Sequence, residues 1–217
     1  MPGNMTIRRA TLADADALSR ICLLTADAGK SGEHLHDYPE LPGIVWAVPY
    51  VHLPTTFGYV LVDDHSDKPG GSEEVVGYTL GSTDTRKYEE IAQKTWWPVQ
   101  RARYPSSIEE GEKGKEADKQ YIKMLDKMFT APEANIAFSP AHLHIDILEG
   151  YQRQGWGRKL IGRLIEHLRE EGVDGVWLGL DPKNVNARRF YRKLGFREIN
   201  GEEDDNNMGI RCEQWGA

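Results

Sequence analysis

The chain has 217 residues, a formal net charge of −7, and a composition that is 39% hydrophobic and 28% charged. These values are typical of a soluble globular protein with a sizeable core, and the negative charge disfavours a dedicated nucleic-acid-binding protein, which needs a clustered basic surface. The first residues lack the apolar run of a secretion signal and no stretch approaches the roughly 18 apolar residues of a membrane span, so we expect a cytoplasmic or nuclear protein with no membrane partner.

The first part of the chain predicts a strand, a helix, an irregular segment and a hairpin. Met5–Arg9 alternates as a short strand does, and residues 10–29 carry apolar side chains at helical spacing. Residues 32–54 contain four prolines and predict an irregular segment with one short helix. Thr56–Asp64 and Val75–Asp84 are rich in β-forming residues and predict an antiparallel hairpin with a long solvated tip.

The second part begins with residues 85–140, whose mixed charges and aromatic side chains predict a partly helical insertion. The following pattern predicts alternating strands and helices and then a final hairpin around an acidic loop: strand 142–148, helix 155–172, strand 173–180, helix 186–195, and hairpin strands 196–199 and 208–214. We therefore predict one α/β (α+β) domain over residues 1–217, with a mixed central sheet flanked by helices and an insertion at about 85–140.

The two cysteines, Cys22 and Cys212, are far apart in the sequence and have no metal-like spacing. This pattern predicts two free thiols in a reducing compartment and no bound metal.

The turn between strand 142–148 and helix 155–172 has the sequence Gln152-Arg153-Gln154-Gly155-Trp156-Gly157. Two glycines remove Cβ atoms from the backbone, so successive N–H groups can converge on one point. The helix that follows adds its free N–H groups and the positive end of its dipole. A tight structural turn would have the same composition, but the pattern is typical of a phosphate-binding site.

A second motif lies about thirty residues later, where Asn186-Ala187-Arg188-Arg189-Phe190-Tyr191 precedes Arg192-Lys193-Leu194-Gly195-Phe196. Together the two motifs resemble the GNAT superfamily of acyl-CoA-dependent N-acyltransferases, which implies a mixed sheet of six to seven strands. The upstream stretches 57–64 and 75–105 narrow the resemblance to the acetyltransferase-like domain of O-GlcNAcase and its free-standing microbial relatives.

The resemblance implies that acetyl-CoA (coenzyme A) is the cofactor. Its pyrophosphate would lie on the turn, and its pantetheine arm would pair with the end of the preceding strand as an added strand. Asn186 would hydrogen-bond the cofactor arm. The implied cofactor-binding residues are Ile147, Leu148, Gln152, Arg153, Gln154, Gly155, Trp156, Gly157, Arg158, Asn186 and Tyr191.

Acetyl transfer to an amine needs a proton donor for the departing thiolate and an acceptor for the amine proton. The family pattern implies that Tyr191 is the general acid, although a packed aromatic residue would fit the same position. His142, His144 and Asp146 share one face of a strand by its two-residue period, which predicts a proton path beside the thioester. No cysteine is close to the motifs in sequence, which disfavours an acyl-enzyme intermediate.

The acceptor site is less determined by the sequence. Trp96 and Trp97 either wall a substrate pocket or form a core private to the insertion, and Asp84 either receives a cationic amine or caps a secondary-structure element. The acceptor is a small-molecule amine or a peptide lysine. A homodimer is compatible with the resemblance, since dimers are common in the superfamily, and so is a module that binds acyl-CoA or a protein partner without turnover.

Overall fold

The computed structural model describes residues 4–65, 71–105, 114–200 and 206–216. Its centre is a seven-stranded mixed sheet in the order β1-β2-β3-β4-β5-β7-β6, which confirms the predicted sheet of six to seven strands. All neighbouring strands are antiparallel except β4 and β5, which are parallel. The strands are β1 Asn4–Arg9, β2 Thr56–Asp64, β3 Glu73–Ser82, β4 His142–Ile147, β5 Gly175–Gly179, β6 Arg197–Glu198 and β7 Asn207–Arg211.

Nine helices of the described ranges flank the sheet, and short 3₁₀ turns lie at 12–14, 33–35, 149–151 and 212–214. The helices are α1 Ala15–Leu23, α2 Leu41–Trp46, α3 Pro49–His52, α4 Thr85–Thr95, α5 Trp97–Arg103, α6 Glu116–Asp126, α7 Glu133–Phe138, α8 Trp156–Glu170 and α9 Val185–Leu194. In the part of the chain that the structure describes, no helix combines the length and apolarity needed to cross a bilayer.

The proline-rich segment is more ordered than its sequence predicts. Two helices form there, and each has a proline in its first turn, Pro42 in α2 and Pro49 in α3. Proline is tolerated in that position because the first N–H groups of a helix have no intrahelical acceptor. The prediction of one short helix in an irregular segment was therefore wrong.

The insertion packs onto the main core, so the interpretation of its aromatic residues as a private core was also wrong. Tyr88, Trp97 and Tyr104 are buried in one cluster with side chains of α1, β2 and β3. A buried hydrogen bond between His36 Nδ1 and Asp118 Oδ1, 2.7 Å long, ties α6 to the segment before α2. The insertion thus closes one face of the sheet, while α8 and α9 cover the other.

The predicted final hairpin is present as β6 and β7, although Cys212–Gln214 forms a 3₁₀ turn instead of continuing the strand. The acidic loop Glu202–Asp205 and part of the predicted tip of the β2–β3 hairpin lie outside the described residues.

The parallel strands β4 and β5 pair only where His142, the first residue of β4, is opposite Trp177, in the middle of β5. Beyond that pair the two strands diverge. The divergence exposes one edge of β4 in the middle of the sheet, and this edge leads to the turn before α8.

Candidate active site

The turn before α8 presents a run of unoccupied backbone donors. Arg153 and Gly155 both have left-handed backbone angles, with φ of +59° and +86°. No described residue accepts a hydrogen bond from the backbone N–H groups of residues 153–158, and the first bond of the helix runs from Lys159 N to Gly155 O, at 3.3 Å. Successive free N–H groups at a helix N-terminus form a site suited to a phosphate.

The two glycines of the turn have different roles. Gly155 supplies the left-handed backbone, and no heavy atom lies within 4 Å of the point where its Cβ would stand. Gly157 has an ordinary backbone, but a Cβ there would lie 2.7 Å from Cζ of Phe190 on α9. Gly155 therefore shapes the group of free backbone amides at residues 153–158, which we call the cradle, whereas Gly157 allows α8 and α9 to pack closely.

The glutamine side chains of the turn hold the protein's own backbone. Gln152 Nε2 donates to Ile147 O at 2.8 Å, and Gln154 Nε2 donates to Gly150 O at 2.8 Å. Their side-chain amides thus stabilise the turn. Arg153 is a basic residue within the turn, while the Arg158 guanidinium lies 5.2 Å from the ring centroid of Trp215 and Lys159 Nζ lies 3.9 Å from the ring centroid of Trp156.

The exposed edge of β4 presents backbone groups of alternate residues. Leu148 N donates to Val76 O at 2.9 Å, so that amide is used by β3. Because hydrogen-bonding direction alternates along an antiparallel strand, the main chains of Ile145 and Ile147 face away from β3 into the gap beside β5. The main chain of Ile147 thus faces the gap in which the cofactor arm is predicted to pair, that of Ile145 faces it as well, and the amide of Leu148 does not.

A cavity of about 820 Å³ lies between the diverging strands, α1, α2 and the insertion. Its described lining contains three acidic residues, Glu89, Asp146 and Asp181, but no lysine or arginine. Aromatic side chains form much of the wall: Trp46, Tyr50, Tyr88, Trp97, Tyr121, Phe129, Trp177 and Tyr191. The cavity is therefore negatively charged and suited to a cationic molecule with an apolar body.

His142 lines this cavity but both of its ring nitrogens are occupied. The Thr85 hydroxyl donates to Pro140 O, so it accepts from His142 Nδ1–H at 2.8 Å, and Tyr50 donates its hydroxyl to Nε2 at 2.7 Å. Burial, with a smaller effect of the neighbouring His144, lowers the pKa of His142 to about 3. A neutral imidazole with no free lone pair fits a structural role better than the predicted catalytic one.

His144 and Asp146 form a polar group that faces the cavity. Asp146 Oδ2 lies 3.2 Å from His144 Nε2 and accepts a 2.6 Å hydrogen bond from the Tyr78 hydroxyl. The side chains of His144 and Asp146 are 28% and 21% exposed, which leaves them accessible from the cavity. Burial, followed by the charge of Asp146, raises the pKa of Tyr78 well above its usual value, so Tyr78 stays a donor.

Cys22 of α1 also lies in this group, which corrects the expectation that no cysteine is near the site. Its Sγ and ligand atoms of His144 and Asp146 all lie within 4.8 Å of one another. Burial, followed by the charge of Asp146, raises the pKa of the Cys22 thiol well above its usual value. Such a thiol is protonated at neutral pH and is a poor nucleophile.

Tyr191 reaches the cavity from α9. Its ring is buried between Phe190 and Phe196, with centroids 5.2 and 5.4 Å away. No described residue forms a hydrogen bond with its hydroxyl, and burial, followed by the charge of Asp146, raises its pKa above the usual value. The hydroxyl is thus a protonated donor without a partner among the described residues, which fits the general-acid role.

Three other predicted residues lie outside the cavity. Asp84 is exposed and caps α4 by accepting from Lys87 N at 3.0 Å. Trp96 donates its Nε1–H to Ile44 O at 3.1 Å, whereas its neighbour Trp97 does line the cavity.

The third, Asn186, is exposed and does not line the cavity. Asn184 lines it instead and caps α9 by accepting from Ala187 N at 3.0 Å. Asn184, three residues before Ala187, is therefore the asparagine of this segment that faces the cavity.

Comparison with known proteins agrees with this geometry. The sequence model of the acetyltransferase (GNAT) family matches residues 129–196. The solved structure of SsHAT is 32% identical, covers 96% of this chain and 98% of its own, and superposes with a TM-score of 0.78.

Two curated relatives share shorter parts of their length with this chain. Protein O-GlcNAcase of Rattus norvegicus is 24% identical over 194 residues, which are 89% of this chain and 20% of that protein. The ribosomal protein bS18-alanine N-acetyltransferase of Haemophilus influenzae is 45% identical over 56 residues, 26% of this chain and 38% of that protein. The chain thus spans well under half the length of either relative.

Proposed function

Because the chain belongs to the acetyltransferase (GNAT) family, we propose that it transfers an acetyl group from acetyl-CoA to a small primary amine bound in the cavity. The observation that carries this proposal is the run of free backbone amides at residues 153–158, joined along the open edge of β4 to the cavity that holds Tyr191. An anion-binding turn alone would fit many ligands. Its connection to a donor hydroxyl and to a polar group that can accept a proton favours acyl transfer.

One part of the cofactor would bind in the cradle and another part in the gap between β4 and β5. Its pyrophosphate would accept hydrogen bonds from the free amides, with Arg153 and Arg158 supplying opposite charge. Its pantetheine amides would pair with the main chains of Ile145 and Ile147, which face the gap. This path places the thioester at the cavity, where Tyr191 lies.

The chemistry needs no covalent enzyme intermediate. The amine nitrogen attacks the thioester carbonyl, a C–N bond forms, and the C–S bond breaks. A backbone N–H of the open β4 edge is a preorganised donor for the oxyanion. Tyr191, whose hydroxyl stays protonated in its buried position, gives its proton to the leaving thiolate as the C–S bond breaks. The cationic amine gives one proton to the His144–Asp146 group, which faces the cavity, before it attacks, and the second amine proton, lost as the amide forms, replaces the one given by Tyr191.

The lining of the cavity favours a small amine over a peptide lysine. The described wall carries acidic and aromatic residues without lysine or arginine, and α2 and the insertion cover it on one side of the sheet. A cationic amine with an apolar body is attracted by Asp146 and by the aromatic rings. A peptide would need an open groove along the surface.

The test is a thiol-release assay with acetyl-CoA and a panel of small amines, polyamines, amino sugars and lysine peptides, with the acetylated product identified by mass spectrometry. We expect release that depends on a small amine and little with peptides. Calorimetry with acetyl-CoA, ATP and NAD should show binding of acetyl-CoA alone. Binding of acetyl-CoA without release for any amine would instead identify a binding module, and preferential release with peptides would contradict the acceptor class.

A further inference from the structure

Three side chains at the acceptor end of the cavity bring together a thiol, an imidazole and a carboxylate. His144 and Asp146 are two residues apart on β4 and therefore point to the same side of the sheet. Cys22 comes from α1, which packs against that face. The three ligand atoms lie within 4.8 Å of one another, and His144 Nε2 is 3.2 Å from Asp146 Oδ2.

This spacing is close to that of a zinc site. Zn²⁺ bonds of about 2.0–2.3 Å imply tetrahedral edges of about 3.3–3.8 Å between ligand atoms. The distance of 3.2 Å between His144 Nε2 and Asp146 Oδ2 is already close to this range, and Cys22 Sγ lies within 4.8 Å of both ligand atoms. Thiolate, imidazole and carboxylate are also the groups that a borderline-soft cation such as Zn²⁺ accepts as ligands.

The surroundings favour a bound cation. Asp181 adds negative charge to the cavity, whereas the charge of Glu89 is paired with Arg86 at 2.8 Å, and the described lining holds no lysine or arginine. Tyr78 donates a hydrogen bond to Asp146 Oδ2, the kind of outer contact that orients a carboxylate ligand. The cavity itself leaves room for a fourth ligand, such as water.

We propose that Cys22, His144 and Asp146 bind a Zn²⁺ ion with one coordination position open to the cavity. The ion would coordinate His144 and Asp146, the two groups that otherwise receive the amine proton. The zinc-bound protein is therefore an inhibited form of the proposed transferase, whereas the binding of the metal does not depend on that function.

The binding is tested on the full chain after treatment with a chelator, by titration with Co²⁺ as a spectroscopic probe. We expect one-to-one binding, a near-ultraviolet thiolate-to-cobalt charge-transfer band, and visible bands of tetrahedral intensity that Zn²⁺ abolishes. Competition with a chromophoric chelator then gives the affinity for Zn²⁺.

The two cysteines provide a matched pair of variants. Cys22→Ser should abolish the charge-transfer band and weaken Zn²⁺ binding by more than about 100-fold, since loss of an outer-shell partner already costs about 10–100-fold. Cys212→Ser should leave both unchanged, because Cys212 is the other buried thiol and lies beside Val173, away from the cavity. His144→Gln, at a partly exposed side chain, serves as a second ligand variant if Cys22→Ser unfolds.

Absence of Co²⁺ and Zn²⁺ binding in the unmodified chain would overturn the proposal, and so would an unchanged band in Cys22→Ser or His144→Gln. In an active preparation, Zn²⁺ should lower kcat, because the proton-accepting groups are occupied, and leave KM for acetyl-CoA unaltered. A chain that binds cobalt but transfers no acetyl group would refute the proposed function alone. An active chain that binds no metal would refute this site alone.

Discussion

The two ends of the cavity are built in different ways. The cofactor end is a short continuous segment whose free backbone amides follow from two left-handed residues, Arg153 and Gly155. The acceptor end consists of side chains from α1, β3 and β4, brought together only by the packing of the sheet. The first end should depend on backbone conformation, and the second on individual functional groups.

The largest effect is expected at the cofactor end, from Gly155→Val. A β-branched residue is strained at a φ of +86°, and its side chain would enter the space over the free amides. Loss of about three hydrogen bonds to a charged group predicts a decrease in acetyl-CoA affinity of about 1,000-fold or more, measured by calorimetry.

Gly172→Val is the matched control, since Gly172 also has a left-handed backbone, with φ of +73°, and open space around its Cβ, but lies at the other end of α8. It should lose a similar amount of stability and keep its cofactor affinity. Equal losses of affinity in both variants would show that strain, and not the cradle, explains the result.

Tyr191→Phe tests whether turnover can be lost while cofactor binding is kept. Removal of the hydroxyl should lower kcat by about 100-fold or more, the range of general acid catalysis, while acetyl-CoA affinity stays unchanged. Steady-state kinetics and calorimetry measure the two quantities. Tyr59→Phe, at a buried tyrosine outside the cavity lining, should change neither, and an unaltered kcat in Tyr191→Phe would remove this residue from the acid role.

The two histidines of β4 compare a functional group with a structural one. His144→Gln should lower kcat by about 10- to 100-fold, below the full range of base catalysis because Asp146 still accepts a proton. His142→Gln should instead lower the free energy of unfolding by about 1–3 kcal/mol, since Tyr50 and Thr85 lose a buried partner. Urea unfolding and kcat of both variants decide the assignment, and a reversed pattern would exchange the two roles.

A pH dependence of stability sharpens the same comparison. The pKa of His142 is lowered to about 3 in the folded chain, so below about 6.5 the unfolded chain binds the extra proton. The contribution of neutral His142 to the free energy of unfolding is fully present above about pH 6.5. It decreases by about 1.4 kcal/mol per pH unit as the pH falls from there towards 3. Between pH 7 and 5 the unmodified chain should lose about 2 kcal/mol more than His142→Gln. Equal losses of unfolding free energy in the unmodified chain and in His142→Gln would show that His142 is not held neutral in the folded chain.

The sequence predicted the parts of this site that arise from local patterns. Strand alternation and helical spacing identified the mixed sheet, and the glycine turn identified the cradle. The two-residue period placed His144 beside Asp146, and the same period contained the signal for Ile145, because its main chain shares the direction of Ile147.

Cys22 and Tyr78 could not be found in this way. Cys22 is more than a hundred residues from His144 in the chain, and only the packing of α1 on the sheet brings them together. Tyr78 meets Asp146 through the register of β3 against β4, which alternation alone does not specify. The burial of the insertion likewise depends on contacts with α1 and α2 that its composition does not show.

The most direct test of the central claim is a crystal structure of the full chain with coenzyme A. We expect pyrophosphate oxygens within hydrogen-bond distance of the amides of residues 153–158, the pantetheine arm between β4 and β5, and the sulfur beside the Tyr191 hydroxyl. Coenzyme A bound elsewhere, or a sulfur directed away from Tyr191, would contradict the account.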